Sequence, residues 1–136
     1  MVFKRANISI FLTALAAGLG YGGWAAYANY EHGFSAWSKA ASIQGVLAFF
    51  STLIITHVAH KIYLQYGCKI RGILAGFSMS FIIMLAIPLA VHKLAGTPDV
   101  LQTILPGLIW GSIYLIGFLL SLEIKNRNAA RDQASL

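Results

Sequence analysis

Six residues that could do chemistry flank the apolar segments of this 136-residue chain. Carboxylates beside histidines can act as general acids and bases or bind a metal, and a lysine can hold an anionic lipid headgroup. These six come from two separate connectors of the chain: Glu31, His32, Lys39, His92, Lys93 and Asp99. Because nothing in the sequence fixes their mutual distances, solvated interfacial charges are the simpler interpretation.

The histidines raise haem or metal binding as an alternative. His32 and His92 could lie at similar depth, as two axial haem ligands do, but both fall at the ends of apolar segments. His57 and His60 are three residues apart, and Cys68 is the nearest further ligand, with no fixed relation to them. One cysteine excludes an intramolecular disulfide and a CxxC motif. We therefore predict no metal and no cofactor, with a redox or metal-dependent protein as the alternative.

Catalytic motifs are absent from the sequence. It contains no Ser-His-Asp order, no HExxH, no P-loop and no dinucleotide-binding glycine pattern in a strand–helix context. A proton-coupled transporter normally keeps an ionisable group deep in the membrane, and no Asp, Glu, Lys or Arg lies within the apolar segments. The sequence thus favours a protein that is not an enzyme.

Composition indicates an integral membrane protein. Apolar residues make up 58% of the chain and charged residues 10%, against roughly 25% charged in soluble domains. A membrane-spanning helix needs about 20 mostly apolar residues. Four segments meet this condition, and all fourteen Asp, Glu, Lys and Arg residues lie outside them: 7–28, 40–59, 72–91 and 101–122. The net charge of +6 is scattered over the connectors, so nucleic acid is not an expected partner.

These segments predict the architecture. We expect an all-α, four-helix membrane bundle, residues 1–136 forming one membrane domain with a polar tail at 123–136. The first segment also resembles a signal peptide ending at Ala26-Tyr27-Ala28, but its apolar run is longer than usual. Eight of the ten Lys and Arg residues would share one side, which places both termini in the cytoplasm, in a multi-pass protein of a bacterial inner membrane.

Small residues predict how the helices pack. Membrane helices associate through faces that allow close backbone approach. Such faces contain Ala14, Gly18, Gly22 and Ala26 in the first segment, Gly72 and Gly76 in the third, and Gly107 and Gly111 in the fourth. The first segment is small on all sides, so we expect it to be central in the bundle or shared with a second copy or another membrane protein. On the fourth, we expect Leu115 and Leu119 to face acyl chains.

Polar and aromatic residues then suggest where a ligand could bind. Pro88 and Pro106 flank the connector between the third and fourth segments, which predicts an outer-leaflet cavity there. Gln102, Trp110 and Tyr114 would line it, or the two aromatic rings would fill the space that the glycines leave. Gln44 would form interhelical hydrogen bonds or belong to a ligand site between the helices. We predict an oligomeric carrier or an accessory subunit of a membrane complex. A lipid-headgroup-binding protein is a further alternative.

Overall fold

The protein forms helices throughout the part of the chain that the structure describes. This structure, a computed structural model, describes the backbone of residues 2–67 and 69–135 and the side chains of residues 11–67 and 69–135. Its elements are α1 (Val2–Ala28), a short 3-10 turn (Tyr30–His32), α2 (Phe34–Gln65), α3 (Lys69–Leu94) and α4 (Val100–Ala134). The predicted all-α fold is confirmed.

Three of these helices suit a membrane. Among the described residues, α2, α3 and α4 are long enough and apolar enough to cross a bilayer. The first predicted span coincides with α1, which is not one of the three. Lys4, Arg5 and Cys68, which entered the charge and metal predictions, lie outside the residues whose side chains are described.

The helix α2 lies at the centre of the bundle. It packs against α1, α3 and α4, whereas α1 contacts α2 and α4 but has no contact with α3 among the described residues. The predicted central position of the first helix is therefore wrong, and α2 takes that place. α4 also contacts α1, α2 and α3.

Glycines bring α1 and α2 close together. A Cβ built on Gly18 would lie 3.0 Å from the Gly45 carbonyl oxygen, and one on Gly22 would lie 3.0 Å from the Ala41 carbonyl oxygen. On another side of α1, Gly20 and Gly23 have open space where a Cβ would stand. The predicted second copy or partner on α1 stays a prediction.

The α3 glycines allow neighbouring helices to pack closely against α3. A Cβ on Gly72 would lie 2.6 Å from the Tyr63 carbonyl oxygen, and one on Gly76 would lie 3.2 Å from a Leu119 methyl carbon. Leu115 and Leu119 accordingly join the core, at 1% and 0% exposure. The prediction that they face acyl chains is wrong, because bulky side chains of α4 fill the space that small residues of α3 leave.

Candidate functional site

A helix-ending turn fixes the first member of the site. Gly96 has a φ of +70°, a left-handed conformation that lacks strain only for glycine. Its N–H donates to the Lys93 carbonyl at 3.1 Å, and the Thr97 N–H donates to the His92 carbonyl at 3.0 Å, which together form a Schellman motif. This motif holds the Thr97 side chain against the His92 ring, with Oγ1 2.9 Å from Nδ1.

The His92 ring connects this turn to α2. Its Nε2 lies 2.9 Å from Oε1 of Gln44, and the His92 side chain is completely buried. The sequence places His92 at the end of a span, where it was expected to be a solvated interfacial residue. That expectation is wrong, because α3 extends past Val91 and its last turn packs against α2.

Hydrogen positions within this network follow from Thr97. Its hydroxyl has no other hydrogen-bond partner among the described residues, so its proton is used only if it donates to Nδ1 of His92. The proton of a neutral imidazole is then on Nε2, which donates to Oε1 of Gln44. The Gln44 carboxamide is thereby oriented, with its nitrogen on the side away from His92.

That nitrogen lies close to Gly107 of α4, and both residues line a cavity. Gln44 is only 4% exposed, yet its Nε2 has no hydrogen-bond partner among the described residues. A Cβ added at Gly107 would lie 3.5 Å from Nε2. Because Gln44 lines the cavity, a group inside the cavity can accept a hydrogen bond from its two N–H donors.

The cavity lies between the four helices. Its volume is about 190 Å³, and side chains of all four helices line it. On α1 these include Thr13, Ala17 and Tyr21; on α2 Gln44, Ser51, Thr52 and Thr56; on α3 Met84 and Pro88; and on α4 Ile104, Gly107, Trp110, Gly111 and Tyr114. The predicted cavity between α3 and α4 is thus shared among four helices.

The cavity walls are apolar apart from a few groups. The hydroxyls of Thr52 and Thr56 donate to backbone carbonyls one turn earlier, at 2.8 and 2.9 Å, and so are already paired within α2. Tyr114 Oη lies 3.4 Å from Thr56 Oγ1. Gln44 is the polar residue of this lining that is buried, whereas Tyr21 and Ser51 are partly exposed and Trp110 is exposed.

Two aromatic side chains stand where the cavity meets the surface. Trp110 and Tyr114 both line it, and they are 62% and 48% exposed. Their exposure shows that the α4 wall of the cavity is also part of the outer surface of the bundle.

Asn29 joins α1 to α4 at one end of the cavity. It is completely buried, and its Nδ2 donates to Thr103 Oγ1 at 2.8 Å. Its Oδ1 accepts from the Asp99 N–H at 3.1 Å, which caps the start of α4. The only sequence signal for Asn29 is an amide residue just after an apolar run.

The remaining predicted residues lie near this end without forming one site. His32 Nε2 and Asp99 Oδ2 are 2.7 Å apart in a pair that is largely exposed. Glu31 and Lys93 are exposed. Gln102 does not line the cavity. Its backbone carbonyl accepts a hydrogen bond from Trp24 Nε1 at 2.8 Å. The predicted cluster is therefore divided between a buried network and a surface pair.

A second polar cluster, missed by sequence analysis, lies at the opposite end. Glu123 is 6% exposed, and its carboxylate accepts from the Tyr63 hydroxyl and the Lys69 backbone N–H, both at 2.8 Å. Arg127 Nε donates to it at 2.6 Å. We expected a polar tail from residue 123. A signal existed, since Leu115, Leu119 and Glu123 follow one another at i, i+4 spacing on one helix face.

The histidines do not assemble a metal centre. The described residues contain no group of three His, Cys, Asp or Glu side chains placed to share a metal ion. Both nitrogens of His92 are engaged by Thr97 and Gln44, which leaves neither free as an axial ligand.

Comparisons with known proteins leave the assignment to the geometry. The chain matches no protein-family model, no curated protein and no solved structure.

Proposed function

We propose that this is a multi-pass membrane protein that binds a small amphiphile from the bilayer in the cavity between its helices. In this proposal α1 joins the three apolar helices in crossing the membrane, with both termini cytoplasmic in a bacterial inner membrane. The excess of Lys and Arg near the termini and the α2–α3 connection supports this orientation. The protein acts as a binding protein or carrier and not as an enzyme.

The cavity is the observation that carries the proposal. Its lining runs from Gln44 to Thr56 on α2 and from Ile104 to Leu115 on α4, within the apolar segments of both helices. Ligand sites in helical bundles are typically apolar cavities with a few placed polar groups. An opening beside Trp110 and Tyr114 would let a molecule enter sideways from lipid, without passing through water.

A photoreactive fatty acid tests the proposal. We expect a probe with a diazirine in its chain to label wild-type protein at cavity residues of α2 and α4, as located by peptide mass spectrometry. Ala48→Phe and Leu108→Trp each fill the cavity and should reduce this labelling at least about fivefold. The matched control is Val46→Phe, which adds the same ring at an exposed position of α2.

Folding is checked on the same samples by thermal unfolding in detergent. The proposal fails if correctly folded cavity-filling variants are labelled as strongly as the wild type. It also fails if the wild type is labelled only on its outer surface.

A further inference from the structure

We propose that the cavity selects a single-chain amphiphile with a carbonyl group, and that this carbonyl accepts a hydrogen bond from the Gln44 amide N–H. The inference rests on the proposed function and adds the chemical class of the ligand. The ester or carboxyl carbonyl of a fatty-acid derivative meets this description.

The orientation of the Gln44 side-chain amide determines whether the ligand must offer a hydrogen-bond acceptor or a donor. Thr97 donates a hydrogen bond to Nδ1 of His92, and Nε2 of His92 donates one to Oε1 of Gln44. The carbonyl oxygen of the Gln44 amide is therefore already used as an acceptor. What faces the cavity is the NH₂ group of Gln44, beside Gly107. An NH₂ group can only donate, and its partner must therefore be an acceptor.

The cavity's proportions favour one chain over a bulky ring system. Gln44 and Thr56 are twelve residues apart on α2, a rise of about 18 Å along the helix. The volume of about 190 Å³ is spread over that length, although a cavity of roughly 150 Å³ already holds a whole benzene ring. This volume encloses only part of one hydrocarbon chain and leaves no room for a fused ring system. The rest of a long chain would extend past Trp110 and Tyr114, which are exposed, into the bilayer.

These two features together set the direction of the ligand. Gln44 lies at one end of the lining, near the Gly96 turn, while Ile55 and Leu115 lie towards the other. The carbonyl would point to the end where His92 and Thr97 lie, and the chain would run along the apolar walls towards Thr56. Gly107 keeps open the space in front of the amide, because any side chain there would cover it.

Competition between two probes of equal chain length tests this inference. Methyl palmitate carries the acceptor, and hexadecane lacks it. We expect methyl palmitate to displace the photoreactive fatty acid from wild-type protein about tenfold more effectively than hexadecane does, which corresponds to about 1.4 kcal/mol. Gln44→Leu should bring the ratio close to one while leaving chain binding in place.

A second variant covers the case in which Gln44→Leu does not fold. Gly107→Ala adds a methyl group at van der Waals distance from Nε2 without a clash, and it should lower the ratio by screening the amide. The matched control is Gln65→Leu, which removes an exposed glutamine from the end of the same helix and should keep the wild-type ratio.

The outcomes separate this inference from the proposed function. Equal displacement by both probes in the wild type overturns the carbonyl inference but leaves amphiphile binding intact. Displacement by neither probe, with no labelling of the cavity, overturns the proposed function itself. If hexadecylamine, a donor, competes better than methyl palmitate, the amide is reversed and the inference is wrong.

Discussion

Buried polar groups at the two ends of the bundle are used in different ways. At one end, Glu123 accepts hydrogen bonds from the Tyr63 hydroxyl, the Lys69 N–H and the Arg127 guanidinium. At the other end, the network from Thr97 through His92 reaches Gln44 and stops with an amide nitrogen that has no partner among the described residues. The first cluster is complete within the protein, and the second is not.

This difference distinguishes polar groups that stabilise the fold from polar groups that can bind a ligand. A buried group that is fully paired holds elements together, and here Glu123 joins the end of α2, the start of α3 and α4. A donor that is unpaired at the wall of a cavity can instead form a hydrogen bond with an acceptor on a ligand. We therefore expect variants at Glu123 to alter stability and variants near Gln44 to alter binding as well.

Removing the Glu123 carboxylate should have the largest effect. Glu123→Leu leaves the Tyr63 hydroxyl and the Lys69 N–H without their acceptor. We expect the greatest fall in thermal unfolding midpoint of any variant considered, measured in detergent by differential scanning fluorimetry. The matched control is Asp132→Leu, an exposed carboxylate on the same helix. Equal midpoints for the two variants would contradict a structural role for Glu123.

The His92 network should contribute less to stability. His92→Leu leaves Oε1 of Gln44 buried and without its donor, which typically costs about 1–3 kcal/mol. It also frees the Gln44 amide to rotate, so the preference for methyl palmitate over hexadecane should fall. His57→Leu, at an exposed position on α2, serves as the control for both measurements. A loss of stability with unchanged ligand preference would show that His92 does not orient Gln44.

Acid should lower the thermal unfolding midpoint less than Glu123→Leu does, because protonation removes the charge of Glu123 but keeps its side chain. The hydrogen bond from Arg127, followed by that from Tyr63, lowers the pKa of the Glu123 carboxyl, which lies beyond the apolar segment. A lowered folded-state pKa means that this contribution is full above the unfolded-state pKa near 4.5 and is lost as the pH falls through the folded-state value. Midpoints measured from pH 7 to pH 3 should decline less in Glu123→Gln than in the wild type.

The exposed pair of His32 and Asp99 should matter least. The two side chains are 2.7 Å apart, but both are more than a third exposed, and such pairs contribute about 0–1 kcal/mol. His32→Ala should leave the midpoint within error of the wild type at physiological salt concentration. A large loss would mean that the surface half of the predicted cluster supports the fold after all.

Much of the architecture could be predicted from the sequence, because hydropathy alone locates a membrane helix. The four predicted segments fall within the four long helices, and the all-α class is correct. Helix orientation on α4 was harder to predict. Trp110 and Tyr114 share a face with glycines. The sequence could not show that Leu119 would fill the space beside Gly76 and that Leu115 would join the same core.

The candidate site was predicted only in fragments. Gln44, Trp110 and Tyr114 were identified one by one, and the structure places all three around one cavity. Asn29 and Glu123 were missed, because a polar residue at the end of an apolar run is usually solvated and its burial depends on the neighbouring helix.

The sequence by itself determined that the chain has four long apolar segments and that its charged residues lie outside these segments. Both properties follow from the order of residue types along the chain. Only the tertiary structure decided which side chains meet. His92 and Gln44 are 48 residues apart, and Tyr63 and Glu123 are 60 apart, so only helix packing brings each pair into contact. The cavity is likewise a product of packing, because side chains of all four helices line it.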